Sequence, residues 1–130
     1  MIELNLLAVL VATLAAFVLG GAYYAMLGDQ LATVSEAAAA GQSPAPWKLA
    51  LELVRCLVLT LVVATLAWCA GFHGVLGGLA LGALLWIGFP LVLWTGAMLH
   101  EKTPFKLAAI HAGDWLLKLL LIAVIVSAWK

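Results

Sequence analysis

The chain has 130 residues, 67% hydrophobic and only 9% charged, and its six basic side chains balance its six acidic ones. A soluble domain runs at roughly 45 to 50% apolar and 25% charged, so this composition excludes that class and indicates an integral membrane protein. A formal net charge of zero leaves no basic patch for nucleic acid, and the length sets one domain, residues 1–130.

Four apolar runs reach the roughly 20 residues needed to cross a bilayer. They predict an all-α fold of four transmembrane helices in an antiparallel bundle, with a short surface helix in the first loop. The first run is Leu4 to Leu27. It follows Met1-Ile2-Glu3, which lacks the basic segment of a cleavable signal, and it is longer than the ~7 to 15 residues of a signal core. The first helix is therefore expected to stay in the mature protein. Its Ala8, Ala12, Ala16 and Gly20 recur every fourth residue and form a smooth ridge for a neighbouring helix, while Tyr23 and Tyr24 are expected at headgroup depth.

A polar link over residues 28–46 follows. Asp29 is expected to cap a short surface helix from Gln30 to Ala40, ended by the turn chemistry of Gly41-Gln42-Ser43-Pro44-Ala45-Pro46. The second run, Trp47 to Ala70, carries Glu52 and Arg55 in its first third. Cys56 and Cys69 are thirteen residues apart on this helix, roughly 19 Å along its axis, too far for a disulfide within one chain. Both are expected to be buried as small apolar side chains.

Gly71-Phe72-His73-Gly74 predicts a tight turn into the third run, Gly74 to Leu99. Gly74, Gly78 and Gly82 make a second ridge, and the two ridges predict contact between the first and third helices, or an oligomer contact built by one of them. Pro90 removes a backbone hydrogen bond and predicts a kink. The loop His100-Glu101-Lys102-Thr103-Pro104 then leads into the last run, Phe105 to Trp129, with Pro104 suited to a helix start.

That last run carries His111, Asp114 and Lys118 at i, i+3 and i+7, on one helical face. A charge at the middle of a crossing costs at least ~2.5 kcal/mol, so this face should turn towards protein or trapped water. From the loop side, at 1.5 Å per residue, Glu52 and Arg55 lie roughly 8 and 12 Å deep, and His111 and Asp114 roughly 9 and 14 Å deep. The matching levels predict that the second and fourth helices are neighbours, with Arg55 facing Asp114 and Glu52 near His111 or Lys106. Lys118, roughly 20 Å deep, is expected to reach Asp114 or to lie beneath Trp86. Glu52, Arg55, Asp114 and Lys118 sum to zero charge, which suits either a polar fastening that fixes helix register or a site that binds or moves something. His111, with a reference pKa of about 6.5, is the natural proton-handling member. His73 and His100 fall on opposite membrane sides and cannot share a metal or haem, no metal-ligand spacing occurs, and no cofactor is expected. Nucleophile-elbow, phosphate-loop and dinucleotide motifs are lacking too, so an enzyme is not expected.

Lys48, Lys102 and Lys106 flank the side of the two polar loops, against Lys130 on the other. The positive-inside tendency puts the loops in the cytoplasm and both termini outside.

The opening Asn5-Leu6-Leu7-Ala8-Val9-Leu10-Val11-Ala12, running into Phe17-Val18-Leu19-Gly20 and Tyr23-Tyr24, resembles small bacterial four-helix membrane proteins known only as a domain of unknown function, number seventeen-sixty-one. Lys102-Thr103-Pro104-Phe105-Lys106-Leu107 through His111-Ala112-Gly113-Asp114-Trp115 is similar too. The resemblance implies a four-crossing fold, a bacterial cytoplasmic membrane location and no assigned activity. Two functions are consistent with the residues. One is action through association in the bilayer, as a homo-oligomer or a subunit of a larger membrane complex. The other is a small oligomeric proton-linked transporter or channel whose path follows His111, Asp114 and Arg55.

Overall fold

The computed structural model describes residues 1–41 and 45–130; part of the turn expected after Gly41 lies outside the described residues. Among the described residues the secondary structure is helical: α1 (Leu6–Met26), α2 (Gly28–Ala32), α3 (Glu36–Ala39), α4 (Pro46–Ala70), α5 (Gly74–Gly88), α6 (Pro90–His100) and α7 (Phe105–Ala128). Taking α5 and α6 as one span, four helices are long and apolar enough to cross a membrane: Leu6–Met26, Pro46–Ala70, Gly74–His100 and Phe105–Ala128.

Local chemistry sets most of the helix ends. Asn5 caps α1, its side chain accepting from the amides of Leu7 and Ala8, two of the donors that a helix start leaves unpaired. Pro46 opens α4, where its missing N–H would have had no partner. Gly71 closes that helix in the left-handed region, φ 73°, and lets the Phe72 amide bond back to the Ala67 carbonyl at 3.0 Å. Pro90 breaks the third span: α5 stops at Gly88, Phe89 takes φ −121° and ψ −74°, and α6 begins at Pro90.

The surface helix expected from Gln30 to Ala40 is instead two short helices, and Asp29 lies inside the first one rather than capping it. The Thr33 hydroxyl bonds the Gln30 carbonyl at 2.7 Å, a local side-chain bond that competes with continuation of the helix. Ser35 then caps a new start by accepting from the Ala38 amide.

The last helix, α7, is the axis of the bundle. It packs against α1, α4, α5 and α6 and supplies Leu119, Ile122, Ala123 and Val126 to the core. The ridge Ala8, Ala12, Ala16 and Gly20 is buried as expected, but it turns to α4 and α7 rather than to the third span. Gly78 and Gly82 also meet α7: a Cβ on Gly78 would stand 2.5 Å from the Val124 Cα, and one on Gly82 2.9 Å from the Leu119 carbonyl oxygen. Both ridges thus serve the approach of backbones to a shared central helix, which corrects the expected contact between the first and third helices. Gly74 is not part of the ridge. It is exposed, has φ 72°, and belongs to the turn.

The two ends of the bundle differ. Towards the chain termini the interior is closed by Ala12, Ala16, Val63, Ala67, Ile122 and Ala123, each no more than 1% exposed. At the loop end, by contrast, no residue of α4 from Pro46 to Arg55 is buried. There a gap lies between α1, α4 and α7.

Candidate functional site

The gap is a groove of about 1110 Å³. Its apolar walls include Phe17, Leu49, Val58, Leu59, Val62 and Trp115, and its polar lining is Tyr24, Lys48, Glu52, Arg55, His111, Asp114 and Lys118. At its floor Lys118 Nζ lies 3.0 Å from Asp114 Oδ2 and 3.5 Å from Glu52 Oε1. The side chains of Lys118 and Asp114 are only 10% and 7% exposed, whereas Arg55, at 61%, stands on the open wall.

The expected partnership of Arg55 with Asp114 does not form. Arg55 donates to Glu52 on its own helix at 2.5 Å, and Glu52 is joined to Lys118 rather than to His111 or Lys106. Comparing Cα depths misses the reason. Side chains of a helix slant towards its N-terminus, so a long cation covers the turn before its own. Lys118 accordingly reaches back four residues to Asp114 and across to Glu52, and Arg55 reaches back three to Glu52. Trp86 does not cover Lys118; its indole N–H donates to the Ala112 carbonyl at 2.8 Å.

Two aromatic residues join the site that charge alone did not single out. The Tyr24 hydroxyl sits 2.7 Å from His111 Nδ1 and 3.4 Å from Asp114 Oδ2, linking the two. Tyr24 continues the four-residue step of Ala8, Ala12, Ala16 and Gly20, so the sequence did contain a signal that it faces α7. Trp94 of α6 stacks on the His111 ring, with centroids 5.0 Å apart and planes 15° from parallel. No spacing pattern announces this partner. Tyr23, expected at the headgroups, instead donates to the Ile110 carbonyl at 2.6 Å, and Gly113 leaves room for its hydroxyl.

A continuous run of polar contacts therefore leads from Arg55 through Glu52, Lys118, Asp114 and Tyr24 to His111. Gly20 makes it possible, because a Cβ there would stand 2.8 Å from Lys118 Cε. Two buried atoms bordering the groove, Asp114 Oδ1 and Trp94 Nε1, have no hydrogen-bond partner among the described residues. Leaving a buried donor or acceptor unpaired costs ~1–3 kcal/mol, and each such group calls for an explanation. Cys56 is buried at the groove, while Cys69, expected to be buried, is exposed.

Fold and site together define a four-span helical protein with an ion-paired groove at one end. Over residues 7–127 the chain matches the family described as "Protein of unknown function (DUF1761)", and it belongs to that family. No curated protein and no solved structure matches it significantly.

Proposed function

We propose that the chain is a multi-pass binding protein of the membrane, taking an amphipathic molecule from the leaflet on the loop side into the groove between α1, α4 and α7. The observation that carries this reading is the groove itself, whose apolar walls descend to a floor of ion pairs with an unpartnered, buried carboxylate oxygen. Ligand pockets are typically ~300–1,000 Å³, mostly apolar, with a few placed polar groups. Charged side chains within spans almost always face protein or a water-filled cavity, and Arg55 facing an open groove is consistent with an occupant that satisfies it. The loop side is read as cytoplasmic from Lys48, Lys102 and Lys106.

The polar run from Arg55 to His111 favours proton-linked transport as a second reading. It stays within the loop half, however, and the tightly packed alanines and valine of the other half offer it no continuation, so binding from one side fits the geometry better. Association between copies draws no support from the two ridges, because α7 occupies Gly78, Gly82 and the α1 alanines within the same chain.

A spin label at Gly21→Cys, with Cys69→Ser, tests the binding reading. Gly21 lines the groove and an added Cβ meets nothing within 4 Å. The label should be accessible to a relaxation agent and lose mobility when membrane amphiphiles are added. A label that is immobile and inaccessible throughout refutes the groove. Dye-monitored proton flux in vesicles that falls in Asp114→Asn would instead support the transport reading.

A further inference from the structure

The groove has a polarity along its length. Lys48, Glu52, Arg55, Leu59 and Val62 all line it, and their spacing of four, three, four and three residues places them on one face of α4. The three nearest the loops are charged and the two deeper ones are aliphatic. This is the order in which a lipid of that leaflet presents its headgroup and its chain.

The charges of the groove are not evenly matched. Each carboxylate already has a cation: Glu52 holds Arg55 and Lys118, and Asp114 holds Lys118. Lys48, Arg55 and Lys118 stand against only Glu52 and Asp114, so one positive charge is in excess. Lys118 is buried in its two pairs, which locates that excess at the loop end. Arg55 uses one of its five N–H donors, on Glu52, and is the most exposed of the paired side chains. Lys48 Nζ stands over the Trp47 ring at 5.6 Å and has no carboxylate within 4 Å among the described residues.

Depth agrees with charge. Lys48 and Arg55 lie about 3 and 14 Å along the axis from Pro46, and the apolar stem of Arg55 lets its head rise towards the level of Lys48. A phosphate diester there would receive the forked donors of Arg55 and the ammonium of Lys48. A cationic amphiphile would instead meet the surplus positive charge first.

We infer that the groove is a site for an anionic phospholipid, its phosphate held between Arg55 and Lys48 and an acyl chain lying along Leu59, Val62 and Phe17. This specifies the ligand of the binding reading above and rests on it. The lipid's chain covers the aliphatic part of the α4 face, and its charge answers the cationic end.

Native mass spectrometry of the full chain, released from mixed phosphatidylglycerol and phosphatidylcholine micelles, tests the inference. One phosphatidylglycerol per chain should be retained, in about tenfold preference to phosphatidylcholine. Arg55→Gln and Lys48→Gln should each reduce that preference about fivefold, the equivalent of ~1 kcal/mol per basic residue near anionic lipid. Arg55→Lys should fall between Arg55→Gln and the parent, keeping the charge but losing the fork. Lys106→Gln, exposed on α7 and outside the groove, should keep all of it. Equal loss in Lys106→Gln would reduce the effect to diffuse surface attraction and overturn the inference. Equal retention of both lipids would overturn the headgroup preference while leaving groove binding intact. No retained lipid together with a silent label at position 21 would remove both. A dimer retained without lipid would assign the groove to a second copy, and displacement of phosphatidylglycerol by excess inorganic phosphate would assign the site to a free anion; either result overturns the lipid.

Discussion

Replacing Lys118 by methionine keeps roughly the same shape while deleting the cation that joins α4 to α7. Asp114, 7% exposed, would retain only the Tyr24 hydroxyl at 3.4 Å, while Glu52 would keep Arg55. Removing one partner of a buried ion pair costs ~3–5 kcal/mol, because the surviving charge is left without compensation. Polar contacts in membrane proteins fall towards the low end of such ranges, since the unfolded chain in detergent also finds partners. About 3 kcal/mol is therefore expected, roughly a 150-fold shift in the unfolding equilibrium. Reversible unfolding by dodecyl sulfate in mixed micelles, followed by circular dichroism, measures it. Adding Asp114→Asn to Lys118→Met removes the stranded charge and should restore at least ~2 kcal/mol, a coupling in the range seen for contacting residues. A single variant within ~1 kcal/mol of the parent, or a double variant no more stable than Lys118→Met, would refute the idea that this pair is buried and interdependent.

The same unfolding assay checks three further expectations. Arg55→Gln should change stability by less than ~0.5 kcal/mol, since its pair with Glu52 is exposed and lies within one helix, even though the variant loses lipid preference. Gly78→Ala should cost ~1–3 kcal/mol by pushing a methyl into the α7 backbone at Val124, whereas Gly96→Ala, with nothing within 4 Å of the added carbon, should gain ~0.5–1 kcal/mol from helix propensity. Tyr24→Phe should cost ~1–2 kcal/mol, because His111 and Asp114 both lose a polar neighbour, and a loss no larger than that from a surface tyrosine would argue against the Asp114–Tyr24–His111 link.

Much of the site is visible in the sequence as residue types, and of its partnerships the pair of Lys118 with Asp114. Glu52, His111, Asp114 and Lys118 do come together, because charges inside spans have few places to go. Lys118 pairs with Asp114 one turn back, as their four-residue spacing allows, but the slant of the side chains, which Cα depth ignores, turns Arg55 to Glu52 rather than to Asp114. Tyr24 falls in the period of the α1 ridge, but a tyrosine near a helix end serves equally as an interfacial anchor, so its place beside His111 does not follow from that period alone. Trp94 approaches His111 only through the packing of α6 on α7, and neither residue's sequence neighbours encode that contact.

By itself the sequence determined the four spans, the turn at Gly71 and the break at Pro90. Each of these depends on hydrophobic length or on the backbone chemistry of one or two residues, which act wherever the chain goes. Only the tertiary structure decided that α7 is the hub for both small-residue ridges, and that the first turns of α4 stay unburied along a groove. A ridge specifies that a backbone can approach closely but not which one, and a charge specifies that it needs company without choosing the partner. Those choices are made when four faces compete for one central helix.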